Sequence, residues 1–221
     1  MELPDNILKY YLKNVYFISG SACGGKSTIA RRLSIKHGIE LYNWDERFAQ
    51  HKAISDPIHQ PYMNKTWESW EAYFSRPPSD QSVTHSILEQ VKIAIVELLT
   101  LSQGRPIIVE GIFPCDILDR ISSKNRVVFL MAEMQAIRAD FFSRADKQDM
   151  LRCIETLENP EQAKENVFRS IEYALNRDIE NVKNSGFWYH VRGVNPDWEW
   201  LVQAIEHQFE LISRKEREYG F

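Results

Sequence analysis

Short apolar runs alternate along this chain with longer stretches in which apolar residues recur every three or four positions. The short runs predict buried strands at residues 15–19, 39–42, 106–110, 127–131 and 188–192. The longer stretches predict helices at 28–37, 82–102, 162–184 and 197–217. In the second of these, Ile87, Val91, Ile95, Leu98 and Leu99 keep helical spacing, and Gly104 closes the run. The third is amphipathic and closes at Gly186; the fourth opens on Asp197, a good N-cap after Pro196. Strands that alternate with helices predict an α/β fold, a parallel sheet covered on both faces.

Two segments exceed that minimal plan. Residues 45–80 form an insertion between the second strand and the helix at Ser82. It carries Trp67, Trp70, Tyr73 and Phe74 on a short predicted helix, then a break at Arg76-Pro77-Pro78. Trp67, Trp70 and Phe74 either make a small core or offer a stacking platform, and Trp44 is a further pocket candidate. Residues 134–160 follow the fourth strand and hold Arg138, Arg144, Lys147 and Arg152. Both segments leave the sheet at carboxyl ends of strands, where open α/β sheets bind ligands.

A length of 221 residues suits one domain, 1–221, with an insertion, and 43% hydrophobic residues can fill its core. The net charge of −4 provides no basic field for nucleic acid. Cys23, Cys115 and Cys153 have no metal-ligand or disulfide spacing, and the six histidines form no metal pattern. The first 14 residues mix charged and polar types without a signal region, and no run reaches the ~20 apolar residues of a membrane span. These features predict a cytoplasmic protein.

The most specific chemistry lies at Gly20-Ser21-Ala22-Cys23-Gly24-Gly25-Lys26-Ser27-Thr28, which fits G-x-x-x-x-G-K-[ST] between a strand and a helix. The backbone N–H groups of such a loop converge on phosphate oxygens, and the helix N-terminus adds partial positive charge. Lys26 is expected to reach the β- and γ-phosphates and Ser27 to ligate Mg²⁺. Cys23 is a small residue tolerated in the loop. Ile107-Ile108-Val109-Glu110 is an apolar strand ending in a carboxylate, either a contact to Mg²⁺ or its waters, or an ordinary solvated strand end.

With these residues the chain resembles the P-loop kinases of small molecules, nucleosides and nucleotides. The resemblance covers most of the chain. It is carried by Gly20 to Thr28, by Asp45 just after the second strand, by Val109-Glu110-Gly111 and by the arginines after the fourth strand. The stretch Trp44-Asp45-Glu46-Arg47-Phe48 is loosely similar to the Asp-x-Phe-Tyr of uridine kinases. The resemblance implies a three-layer sandwich with strand order 2-3-1-4-5, a substrate-binding insertion at 45–80 and a mobile lid at 134–160. It implies ATP and Mg²⁺ as cofactors and a small-molecule acceptor, in a monomer or homodimer without nucleic-acid or membrane partners.

It also implies that Asp45 accepts the proton of an acceptor hydroxyl or helps hold the metal, with Glu46 as its neighbouring alternative. Asp45 can equally cap a turn. Arg138 and Arg144 are the lid cations implied to neutralise the moving phosphoryl group; their alternative is a solvated face paired with Glu133, Asp140 and Asp146. At about 100° per residue Arg138 and Arg152 share one face while Arg144 lies about 120° away, so aiming them together requires a helix break near Ala145-Asp146. Arg192 and Asn195, at the end of the fifth strand, either touch the adenine base or serve only turn chemistry.

Three functions are compatible with these residues: a kinase of a small hydroxyl-bearing metabolite, nucleoside or antibiotic-like compound; a nucleotide kinase acting on a phosphate; and a non-catalytic nucleotide-binding regulator. A GTPase is disfavoured by the lack of Asn-Lys-x-Asp. Within 45–80 the only lysines and arginines are Arg47, Lys52, Lys65 and Arg76, which favours the hydroxyl acceptor.

Overall fold

The computed structural model describes residues 4–211. Five parallel strands form one sheet: β1 (Val15–Ser19), β2 (Glu40–Asn43), β3 (Ile107–Glu110), β4 (Val127–Ala132) and β5 (Trp188–Arg192), in the order β2-β3-β1-β4-β5. This is the order implied by the resemblance. The register sets Ile18 beside Glu110 and Asn43 beside Glu110, so the ends of β1, β2 and β3 lie together.

Side chains alternate across the pleat, which divides the core in two. Phe17, Val109, Phe129 and Met131 face α5 (Ser82–Ser102), α6 (Cys115–Ile121), α7 (Met134–Asp140) and α9 (Pro160–Ser185). Ile18, Ile108, Val128 and Leu130 face α2 (Lys26–His37) and α10 (Trp198–Gln208). The central strands β1, β3 and β4 are buried on both faces, which is why they read as continuous apolar runs, while the edge strands β2 and β5 are partly exposed.

The main elements fall where the pattern predicts, with differences at their ends. The second strand begins one residue late because Ile39 stays tied to the preceding helix: its N–H donates to the Ser34 carbonyl and its carbonyl accepts from Ser34 Oγ. The long helix α9 starts earlier, at Pro160, because Asn159 caps it through Gln162 N. Asp197 caps α10 as expected by accepting from Trp200 N at 3.0 Å. That helix closes at Gln208 rather than running to Arg217, as Glu210 takes a positive φ of 54°; residues 212–217 of the predicted helix lie outside the described residues.

The pattern left several short helices unassigned: α1 (Asp5–Tyr11), α3 (Phe48–Ile54), α6, α7 and α8 (Gln148–Glu155). The aromatic helix of the insertion is α4 (Trp70–Phe74), capped by Ser69 accepting from Ala72 N. Its Phe74 is buried with Ile154 of α8 and Ala163 of α9, whereas Trp70 is exposed. The lid segment is not one detached unit. Ala136, Ile137 and Phe141 belong to the main core, and the chain then breaks at Arg144, which is extended between two 3₁₀ turns. No helix among the described residues is long and apolar enough to cross a membrane.

Candidate active site

The loop after β1 lies on the end of β4. Ser21 N–H donates to the Leu130 carbonyl at 3.1 Å, and Ser21 Oγ accepts from Ala132 N at 3.0 Å. Gly20 and Gly24 both press on that carbonyl; an added Cβ would stand 2.1 and 2.0 Å from Leu130 O, so neither site admits a side chain. Gly25 takes a left-handed φ of 93° and opens α2. Cys23 also takes a left-handed φ, 56°, an uncommon state for a residue with a Cβ.

Lys26 folds back over this loop, its Nζ donating to the Ser21 carbonyl at 2.6 Å. Burial depresses its pKa, while the nearby Glu110 and Asp45 carboxylates oppose that fall. Glu110, at the end of β3, is buried, and burial raises its pKa; Lys26 works against the rise, Asp45 adds to it, and a Ser27 hydrogen bond lowers it. Thr28 follows, exposed, on the first turn of α2. Arg144 reaches the same place from beyond β4, close enough for its charge to be felt by Cys23, Lys26 and Glu110. It is held by Asp146 through two hydrogen bonds of 2.9 and 2.8 Å. Burial raises the Cys23 thiol pKa, with Arg144 opposing.

Asp45 lies two residues past the end of β2 and is exposed. Its carboxylate accepts no hydrogen bond among the described residues. The turn here is capped by Asn43, whose Oδ1 accepts from the N–H groups of Asp45 and Glu46. The capping alternative therefore falls to Asn43, and Glu46 is engaged by Asn43 Nδ2. The turn is clamped to α5 at two places. Gln90 Nε2 donates to the Trp44 carbonyl at 3.1 Å. Glu97 accepts from Arg47 at 2.6 Å and from Tyr42 Oη at 2.7 Å, and lies 2.9 Å from His51 Nε2.

A cavity of about 510 Å³ opens beside Asp45, walled by Trp44, Phe48, Tyr62, Trp67 and Tyr73 and reached by Lys147. Trp44 is buried, and its indole N–H has no protein partner. A second cavity of about 490 Å³ lies between α5, α9 and the underside of the phosphate loop. The two share Tyr73, Val83 and Ile87.

Lys26, Ser27, Glu110, Asp45 and Arg144 thus converge, and Arg138 does not join them. Its guanidinium makes two hydrogen bonds to Glu165 on α9, 2.8 and 2.9 Å, and stacks over Phe168. Arg192 is also redirected. It is buried, and its three nitrogens donate to the Cys23 carbonyl, the Gly193 carbonyl and Asp140, so it props the phosphate loop from behind instead of facing a base. Asn195 is exposed on the loop after β5. Sequence reasoning missed Gln90 and Glu97, whereas it named Asp146 among the partners of the arginines, and Asp146 holds Arg144. The two missed residues stand seven apart on one face of α5, a spacing that marks a common neighbour but does not name it.

No protein-family model matches the chain, and no curated protein matches it by sequence. Solved structures do match. TT1252 from Thermus thermophilus is 15% identical, covers 91% of this chain and 99% of its own, and gives a TM-score of 0.50. Shikimate kinase from Acinetobacter baumannii in complex with shikimate is 15% identical over 91% of this chain and 94% of its own, with a TM-score of 0.49. Deoxyadenosine kinase from M. mycoides is 15% identical over 90% of this chain and 100% of its own, with a TM-score of 0.43. Likeness at such identities speaks for the fold alone. The chain has the P-loop kinase fold: five parallel strands in the order 2-3-1-4-5, with the phosphate loop after the first.

Proposed function

We propose that this protein is an ATP-dependent phosphotransferase acting on the hydroxyl group of a small molecule. The observation that carries the reading is the unengaged carboxylate of Asp45, set beside a cavity and near Lys26 of the phosphate loop and Glu110 of β3. ATP phosphates lie on the loop and the N-terminus of α2, with Lys26 leaving the Ser21 carbonyl for the β- and γ-phosphates. Ser27 and Glu110 offer two adjacent hard oxygen donors rather than a ring of carboxylates. That suits Mg²⁺, which keeps waters and nucleotide oxygens in its shell. When bound, the ion neutralises phosphate charge. Asp45 orients the acceptor hydroxyl and takes its proton as the oxygen bonds to the γ-phosphorus, and the β–γ bridge oxygen leaves with ADP. Arg144 stabilises the charge on the phosphoryl group in transit. Asn195 is free to meet the base.

A panel of hydroxyl compounds with labelled ATP finds the acceptor. Lys26→Ala then abolishes turnover with the circular dichroism spectrum unchanged. Asp45→Asn retains ATP binding and loses about 10²–10⁴-fold in transfer. A loss under about tenfold for Asp45→Asn returns that residue to a positioning role. Nucleotide binding without transfer to any acceptor would instead mark the chain as a regulator.

A further inference from the structure

A loop that cradles phosphate must turn its N–H groups inward and its carbonyl oxygens away, because an oxygen that faces a phosphate repels it. In this loop, side chains hold three successive carbonyls. Lys26 Nζ donates to that of Ser21, and Ser21 Oγ donates to that of Ala22 at 3.0 Å. The Cys23 carbonyl is taken by Arg192 Nε. Cys23 needs such a hold, since a residue with a Cβ seldom keeps a left-handed φ, here 56°.

The peptide that follows Cys23 passes the hold on. It is trans, so its carbonyl and the N–H of Gly24 point in opposite directions. Drawing the carbonyl toward Arg192 sends the Gly24 N–H the other way. That N–H donates to the Ser21 carbonyl at 3.4 Å, the same oxygen that Lys26 Nζ meets at 2.6 Å. The Gly24 amide and the Lys26 ammonium therefore aim at one place in the loop.

Arg192 is itself fixed. Its side chain is 6% exposed, Nη1 donates to the Gly193 carbonyl at 3.2 Å, and Nη2 meets Asp140, its one ion-pair partner among the described residues. The Trp198 ring lies 5.8 Å from the guanidinium and also closes on Gly25, where an added Cβ would stand 2.5 Å from it. A buried ion pair adds little stability over well-packed apolar residues. Holding a carbonyl back is what an apolar residue in this place could not do.

We propose that Arg192 is a positioning residue of the phosphate site: oriented by Asp140, it sets the Cys23–Gly24 peptide so that the Gly24 N–H meets a phosphate oxygen. This rests on the reading of residues 20–28 as a nucleotide site and not on transfer to an acceptor.

Calorimetric titration of the full chain with ATP and with inorganic triphosphate, both with Mg²⁺, tests it. Triphosphate reports the cradle without a base. Arg192→Met is expected to weaken both by about tenfold or more. Asp140→Ala weakens both by less, and the double variant loses no more than Arg192→Met alone, since both residues act through one chain of hydrogen bonds. The Gly24 amide proton, followed by NMR, moves downfield at saturating triphosphate in the wild type and much less in either variant. If Arg192→Met does not fold, Asp140→Ala decides alone, because its side chain is half-exposed. Lower melting temperatures with wild-type affinities and a wild-type Gly24 shift would mean a role in stability only, and would overturn the proposal. Tighter binding by Asp140→Ala, or additive losses in the double variant, overturns it too. A wild type that binds neither probe rejects the nucleotide site and this role with it. Binding of both probes that depends on Arg192, with no transfer to any acceptor, keeps the role and rejects the kinase.

Discussion

At the scale of single residues, two arginines that look alike in sequence have opposite surroundings. The charge of Arg144 is felt at Cys23 in the phosphate loop, while Arg138 is spent on Glu165 and Phe168. Only a cation that meets the phosphoryl group in the transition state raises the rate of its transfer. Arg144→Ala is therefore expected to lower transfer by about 10²–10³-fold with little change in ATP affinity. Arg138→Ala should leave transfer near the wild-type rate and cost at most about 1 kcal/mol of stability, since its pair is exposed. Steady-state kinetics and nucleotide titrations on both variants check this; equal losses would remove the distinction. Angular spacing along a helix shows that Arg138 and Arg144 cannot share a face, but it does not say which of them turns inward. The break at Arg144 decides that, and Asp146, two residues on, gathers both Arg144 and Lys147 there. The phosphate loop was legible because its chemistry is local, with each glycine answering to one carbonyl or one turn. Arg192 was misread because a buried arginine and a ligand-facing arginine have the same letter.

At the scale of elements, the turn that bears Asp45 owes its position to α5. Glu97 joins Tyr42 on β2, Arg47 on the turn and His51 on α3, so one carboxylate ties three pieces of chain to one helix. Burial alone would raise the Glu97 pKa, but hydrogen bonds from His51 and Tyr42 and the Arg47 charge outweigh it and hold the carboxyl below its ordinary range. A depressed carboxyl stabilises the fold above its unfolded pKa, and that stability is lost as pH falls through the folded value. Glu97→Gln should then lower the melting temperature at about pH 7 by several degrees, from a loss of about 1–3 kcal/mol. At about pH 3 the gap should narrow, because the wild-type carboxyl is itself becoming protonated. Thermal scans of both proteins at both pH values test it, and an undiminished gap in acid would mean that packing, not charge, carries the effect. The strands and long helices were legible because burial on two faces, or on one stripe, writes a period into the sequence. Short helices such as α3 and α6 span too few turns to write one, and Glu97 sat unnoticed as a polar residue on an apolar helix.

At the scale of the whole molecule, the insertion and the segment after β4 are joined above the sheet. Phe74 of α4, Ile154 of α8 and Ala163 of α9 form a buried cluster of their own, apart from the two main cores. Asn166 Nδ2 adds a hydrogen bond to the Phe74 carbonyl at 2.9 Å. The insertion and the segment after β4 are thus packed on a common support. A lid that closes on phosphates through Arg144 pulls on α8, and α8 cannot move far without α4. Closure over ATP, under the proposed function, should therefore be felt at the aromatic wall, where Trp67 and Tyr73 line the cavity beside Asp45. Hydrogen exchange should show protection rising together over residues 141–157 and 67–76 when a non-hydrolysable ATP analogue and the acceptor are both present. Ile154→Ala removes the side chain at the centre of the cluster, at a cost of about 2–5 kcal/mol to its packing. In that variant the two segments should respond separately, with 141–157 still protected by nucleotide and 67–76 no longer following. Unchanged exchange in both segments on adding ligands would refute closure. Joint protection that survives Ile154→Ala would place the coupling in the ligands rather than in the cluster.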